Sequence, residues 1–101
     1  MITVTFDGLK MKVEGHALFD EHGKDIVCAG ASTLAFTLAE QMKRYVDNGI
    51  ASLTLSIDKG VMRVDTVSND ETCAIAFDTI KTGYKLLAAK YPGYITLIDI
   101  G

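Results

Sequence analysis

The 101-residue chain has one proline, no tryptophan, only two cysteines and no cluster of lysine or arginine. Each shortage excludes something. With 10 basic against 13 acidic residues and a net charge of -3, there is no cationic stripe to release counterions from a phosphate backbone, so direct nucleic-acid binding is not expected. No apolar run approaches the ~18 residues of a membrane span, and the opening residues Met1 to Asp7 lack the charged start of a secretory signal, which points to the cytoplasm. Cys28 and Cys73 allow one disulfide by arithmetic, but a non-secreted chain with a normal core has no need of it, so both are read as free thiols. The single Pro92 and the absence of linkers or repeats make residues 1–101 one domain, and 49% hydrophobic with 23% charged residues supports a real core.

What is present is an alternation of short strands and two long helices. Ile2, Val4 and Phe6 alternate with Thr3 and Thr5, Asp7-Gly8 turns the chain, and Leu9, Met11 and Val13 alternate with Lys10, Lys12 and Glu14. The pattern then lapses from Gly15 to Asp25, a stretch with two glycines and two histidines, where function is sought first. From Ile26 to about Asp47, Ala31, Leu34, Ala35, Leu38, Met42 and Tyr45 recur at helical spacing, and Asn48-Gly49 ends the helix. Leu53 to Ile57 and Val61 to Val67 form a second hairpin about Asp58-Lys59-Gly60. Asn69 or Asp70 caps a second helix with the stripe Cys73, Ala76, Phe77, Ile80, Tyr84 and Leu87, placing Cys73 mid-helix in the core. Tyr94 to Ile100 is a last strand, apolar enough to be central or well covered. The order ββαββαβ predicts an α+β domain, with two helices packed on one face of a mostly antiparallel five-stranded sheet. The outer face, rich in Thr, Ser and Lys, stays wet or meets a second subunit.

Cys28 carries the sharpest chemical signal. If Asp25 is the N-cap of the long helix, Cys28 is its third residue, beside the unpaired N–H groups and positive dipole end of the first turn, which favour a thiolate. At about 100° per residue Cys28 falls at the edge of the apolar stripe, and Ser32 lies one turn on toward the polar side. His16 and His22 lie upstream as candidate bases. The competing reading is an inert thiol among Val27, Ala29, Gly30 and Ala31. A metal site is not expected, because no paired C-x-x-C or H-x-x-x-H spacing occurs, and no cofactor motif is found.

Gly15-His16-Ala17, followed by an irregular segment and then Asp25-Ile26-Val27-Cys28-Ala29-Gly30-Ala31-Ser32, resembles the paired signature of the bacterial ribosomal-processing cysteine protease family, Prp. The resemblance combines two motifs, their separation, the hairpin before them and the helix after. It implies a homodimeric endopeptidase that removes a short N-terminal extension from the large-subunit ribosomal protein L twenty-seven. It also implies His16 and Cys28 as the catalytic pair, and a cleft between the first helix and the second strand.

On that reading His16 deprotonates Cys28 for attack on the scissile carbonyl, with backbone N–H groups around Cys28 and Ala29 as candidates for the oxyanion hole. Gly15 and Ala17 are candidates to present backbone to oxyanion or substrate. Asp25 caps the helix or orients His16, Ser32 supports the cleft or bonds its own helix, and Gly23 lends the loop freedom to close. The acids Asp20, Glu21 and Asp25 suit a basic substrate, and Leu9, Met11, Leu18 and Phe19 form either an apolar pocket or core. The rival from another class is a dimeric adaptor that binds a ribosomal peptide without cutting it. A thiol acyltransferase or redox sensor is disfavoured by the lack of a resolving cysteine nearby.

Overall fold

The structure is a computed structural model, and it describes residues 1–15 and 26–101. Its elements follow the order read from the sequence: β1 (Ile2–Asp7), β2 (Lys10–Gly15), α1 (Ile26–Asp47), β3 (Ser52–Asp58), β4 (Val61–Val67), α2 (Glu71–Lys90) and β5 (Ile95–Asp99). The five strands make one sheet in the spatial order β3-β4-β2-β1-β5, antiparallel except where β5 runs parallel to β1.

Alternation decides which face is covered. Ile2, Val4 and Phe6 of β1, Met11 of β2 and Met62 and Val64 of β4 all point to the side where both helices lie, and all are buried. Val27, Ala31, Ala35, Leu38, Ala39 and Met42 of α1 meet them, with Cys73, Phe77, Ile80 and Tyr84 of α2. At the centre the Phe6 ring packs edge-on against Phe77 at 6.5 Å and Tyr84 at 6.0 Å between centroids. Burying one such ring is worth about 2 kcal/mol or more. Lys81 closes the rim, with its ammonium 5.3 Å from the Phe6 ring centre and 2.8 Å from the Asp99 carboxylate.

Both helices end for local reasons. The Asp70 carboxylate accepts from the Thr72 amide at 2.9 Å and from its hydroxyl at 2.6 Å, so of the two candidate caps Asp70 is the one used. α1 stops where Asn48 and Gly49 donate back to Arg44 and Val46, Gly49 taking φ +79°.

Two expectations are corrected. β5 is neither central nor well covered: it forms an edge of the sheet, and Ile98 and Ile100 are exposed. Its apolar residues split between faces, Ile95 going to the core and Ile98 to the bare side. Cys73 is in the core as expected, but it stands third in α2 rather than mid-helix. Of the four residues read as pocket or core, Met11 is fully buried core and Leu9 packs against that core, while Leu18 and Phe19 lie outside the described residues.

Candidate active site

The first turn of α1 opens onto a cleft of about 240 Å³. One wall is α1 itself, through Cys28, Ala31, Ser32, Ala35 and Phe36; the floor is Ile2 and Val13; the far wall is the β3–β4 hairpin tip, through Ile57, Asp58, Gly60, Val61 and Met62. Small residues make the space, because Ala31 and Ala35 face the sheet where larger side chains would fill the gap. Cys28 is half-buried, reachable from the cleft yet packed on the core. Ser32 follows one turn later on the same wall, and Phe36 one turn after that, at 47% exposure. Cys28, Ser32 and Phe36 therefore form a single stripe with a spacing of four.

The end of β2 is tied to the hairpin tip. The Gly15 amide donates to the Gly60 carbonyl at 2.9 Å, and Gly15 takes φ +94°, with a Cβ placed there overlapping the Met1 carbonyl oxygen. Only glycine fits such a backbone against so close a neighbour. Its N–H is already engaged, so Gly15 shapes the cleft wall instead of offering a donor to substrate.

The Ala29 side chain faces away from this cleft, which leaves its expected backbone role untouched. It lies about 100° around the helix from Cys28 and borders a separate shallow groove with Gly30, Thr33, Leu34, Gly83 and Leu86. His16, Ala17, Gly23 and Asp25 lie outside the described residues. Among those described, no group of three or more His, Cys, Asp or Glu stands together as a metal site, and no helix is long and apolar enough to cross a membrane. Asp58 is the one charged side chain lining the cleft among the described residues, and its carboxylate accepts from the Lys59 amide at 2.7 Å.

Sequence reasoning missed the hairpin tip and Phe36. The tip is brought to the site only by sheet pairing, which no local pattern reports. Phe36 had a signal, an aromatic residue on the same helical row as Cys28 and Ser32.

A cleft with a half-buried thiol on a helix N-terminus suits nucleophilic attack on a bound peptide. A family model described as Cysteine protease Prp matches residues 1–96 of the chain. The chain belongs to the Prp family of cysteine proteases. A relative from Mycoplasma genitalium, named ribosomal processing cysteine protease Prp, is 30% identical over 102 residues, covering 96% of this chain and 94% of the relative. Among solved structures, S. aureus Prp in complex with a covalently linked product peptide shares the fold at a TM-score of 0.84 and 24% identity, covering 99% of this chain and all of that one. A Streptococcus mutans protein is similar at a TM-score of 0.81 and 27% identity, over 99% of this chain and 97% of its own. Membership of the Prp family makes this protein an enzyme and sets aside the reading of a non-catalytic adaptor.

Proposed function

We propose that this Prp protein is a cytoplasmic cysteine endopeptidase that removes the short N-terminal extension of the large-subunit ribosomal protein L twenty-seven, using Cys28 as nucleophile and His16 as base. The observation that carries the reading is the placement of the Cys28 thiol, half-buried in the first turn of α1 and lining the cleft. Curated relatives named for ribosomal processing support the substrate class, and S. aureus Prp bound to a substrate peptide supports a peptide ligand for this fold.

His16 takes the Cys28 proton, and the sulfur adds to the scissile carbonyl carbon, placing negative charge on its oxygen. Backbone N–H groups of the first turn of α1, around Cys28 and Ala29, lie at the positive end of the helix dipole and stabilise that oxyanion. Collapse expels the new amine, which receives the proton from His16 and leaves a thioester on Cys28. Water activated by His16 then hydrolyses the thioester and frees the enzyme. Asp25 orients His16 or caps α1, and Ser32, one turn from the thiol, supports the peptide in the cleft. The apolar lining from Val13, Phe36, Ile57 and Val61 holds an apolar side chain next to the cut. The chain works as one domain and as a homodimer.

The test is mass spectrometry of a synthetic peptide spanning that N-terminal extension, incubated with the protein and with Cys28→Ala. A single cut by the wild type and none by the folded variant is expected. Equal cutting by Cys28→Ala removes Cys28 from the mechanism, and an intact peptide with both proteins removes the proposed substrate.

A further inference from the structure

Deep in the helix layer, Tyr84 of α2 sends its hydroxyl across to the Ala31 carbonyl of α1, at 2.7 Å, with the residue fully buried. Within a continuous helix that carbonyl already accepts from the amide one turn on, so α1 has no need of the phenol to satisfy its backbone. A phenylalanine would fill the same space. The hydroxyl therefore adds a directional link between the helices at one chosen height on α1.

The height is informative. Ala31 is three residues, about 4.5 Å of helix rise, beyond Cys28, and its side chain lines the same cleft. Immediately beside the bond the two helices approach closely through glycine on each side. A Cβ on Gly30 would stand 3.1 Å from Leu87 Cδ1, and a Cβ on Gly83 would stand 2.6 Å from Leu34 Cδ2. Each glycine precedes a member of the bonded pair, Gly30 before Ala31 and Gly83 before Tyr84, so a leucine of each helix seats in a notch of the other. This double notch sets the separation of the helices, whereas apolar packing alone permits small sliding and rotation about their axes. The phenol bond removes that freedom. Burial pushes the Tyr84 hydroxyl far above its ordinary titration range, so it stays a neutral donor at every working pH.

We propose that Tyr84 is a positioning residue for catalysis: its hydrogen bond to the Ala31 carbonyl locks the rotation and height of α1 so that Cys28 faces the cleft in attacking geometry. The inference rests on the reading of Cys28 as nucleophile. Displacements of about 1 Å at a reacting atom cost rate up to about a hundredfold, so a loosened α1 lowers turnover without emptying the substrate site.

The experiment compares wild type, Tyr84→Phe, Ile80→Val as a core variant of α2 remote from Ala31, and Cys28→Ala. Peptide cleavage gives kcat and KM, iodoacetamide alkylation of Cys28 followed by intact mass across pH gives thiol geometry and reactivity, and melting gives Tm. Expected for Tyr84→Phe is a fall in kcat of about tenfold with KM within about twofold, together with a changed Cys28 alkylation profile. Ile80→Val lowers Tm comparably and keeps kcat. Wild-type kcat and alkylation in folded Tyr84→Phe overturn the proposal, as does an equal loss of kcat in Ile80→Val. If Tyr84→Phe does not fold, Tyr84→Met, which keeps apolar bulk and lacks the donor, answers the same question: lowered kcat with a changed alkylation profile supports the lock, and wild-type values overturn it. If no protein cuts the peptide, the proposed function fails, and the alkylation comparison of Tyr84→Phe with wild type alone decides the role of Tyr84.

Discussion

Gly15 and Gly60 meet through a single backbone hydrogen bond of 2.9 Å, which fastens the end of β2 to the turn between β3 and β4 along one side of the cleft. Both take positive φ, +94° and +73°, so the two turns touch where they present backbone without side chains. The residue after Gly15 in the sequence is His16, the proposed base.

Gly15→Ala tests the junction. Positive φ strains alanine, and its methyl group meets the Met1 carbonyl oxygen, so the expected loss of stability is about 2 kcal/mol or more. For a domain of this size that lowers Tm by roughly 10 °C. Thermal melting followed by circular dichroism checks it, and an unchanged Tm means that the chain relaxes around the methyl group.

Phe36 offers a second test, of binding rather than chemistry. It stands two turns beyond Cys28 on the cleft wall and is nearly half exposed, so Phe36→Ala trims the surface offered to the peptide with little effect on the core. KM is expected to rise about fivefold with kcat nearly unchanged, the pattern of a side chain that binds the ground and transition states equally. Steady-state kinetics on the extension peptide decides; a fall in kcat at constant KM instead assigns Phe36 to transition-state geometry.

Acid stability reports on the cap of α2. The hydrogen bonds from Thr72 hold the Asp70 carboxyl below its ordinary value of 3.8. A depressed folded pKa means that the charged cap contributes its full stability above 3.8 and loses it as pH falls through the folded value. Asp70→Asn keeps an oxygen acceptor but cannot titrate. The Tm advantage of wild type over Asp70→Asn is thus expected in full above pH 3.8 and shrinks as pH falls below it. A constant difference across that range shows that the cap works without its charge.

Much of the fold was legible because its signals are local. Thr3 and Thr5 between Ile2, Val4 and Phe6 mark a strand with one wet face, and the spacing from Ala31 to Tyr45 marks a helix with one buried face. The rotation of about 100° per residue placed Cys28 and Ser32 on the cleft side, and the same arithmetic puts Ala29 outside it. Strand order is not written in such periods. Ile95, Ile98 and Ile100 read as a covered strand because side-chain polarity does not reveal which neighbours a strand acquires. Ile57, Asp58 and Gly60 were invisible as site residues for a related reason, since they reach α1 only after β4 pairs with β2. Cys73 was set too far into its helix although the cap read at Asn69 or Asp70 already puts it in the first turn.

The parallel pairing of β1 with β5 also closes a long stretch of chain. The two hairpins join residues that are neighbours in the chain, whereas Ile2 and Ile95 are separated by both helices and the second hairpin, so their pairing carries a larger loop-closure cost. The Ile2 amide, which donates to the Tyr94 carbonyl at 3.0 Å, gains its partner in that same pairing. Ile2 is also floor to the cleft, but it is held there by its pairing with Gly15 in the first hairpin, and the far wall arrives only when β4 pairs with β2. A chain in which β4 has not yet reached β2 accordingly carries a cysteine but no finished groove around it, so the capacity to cut depends on contacts between residues far apart in the sequence.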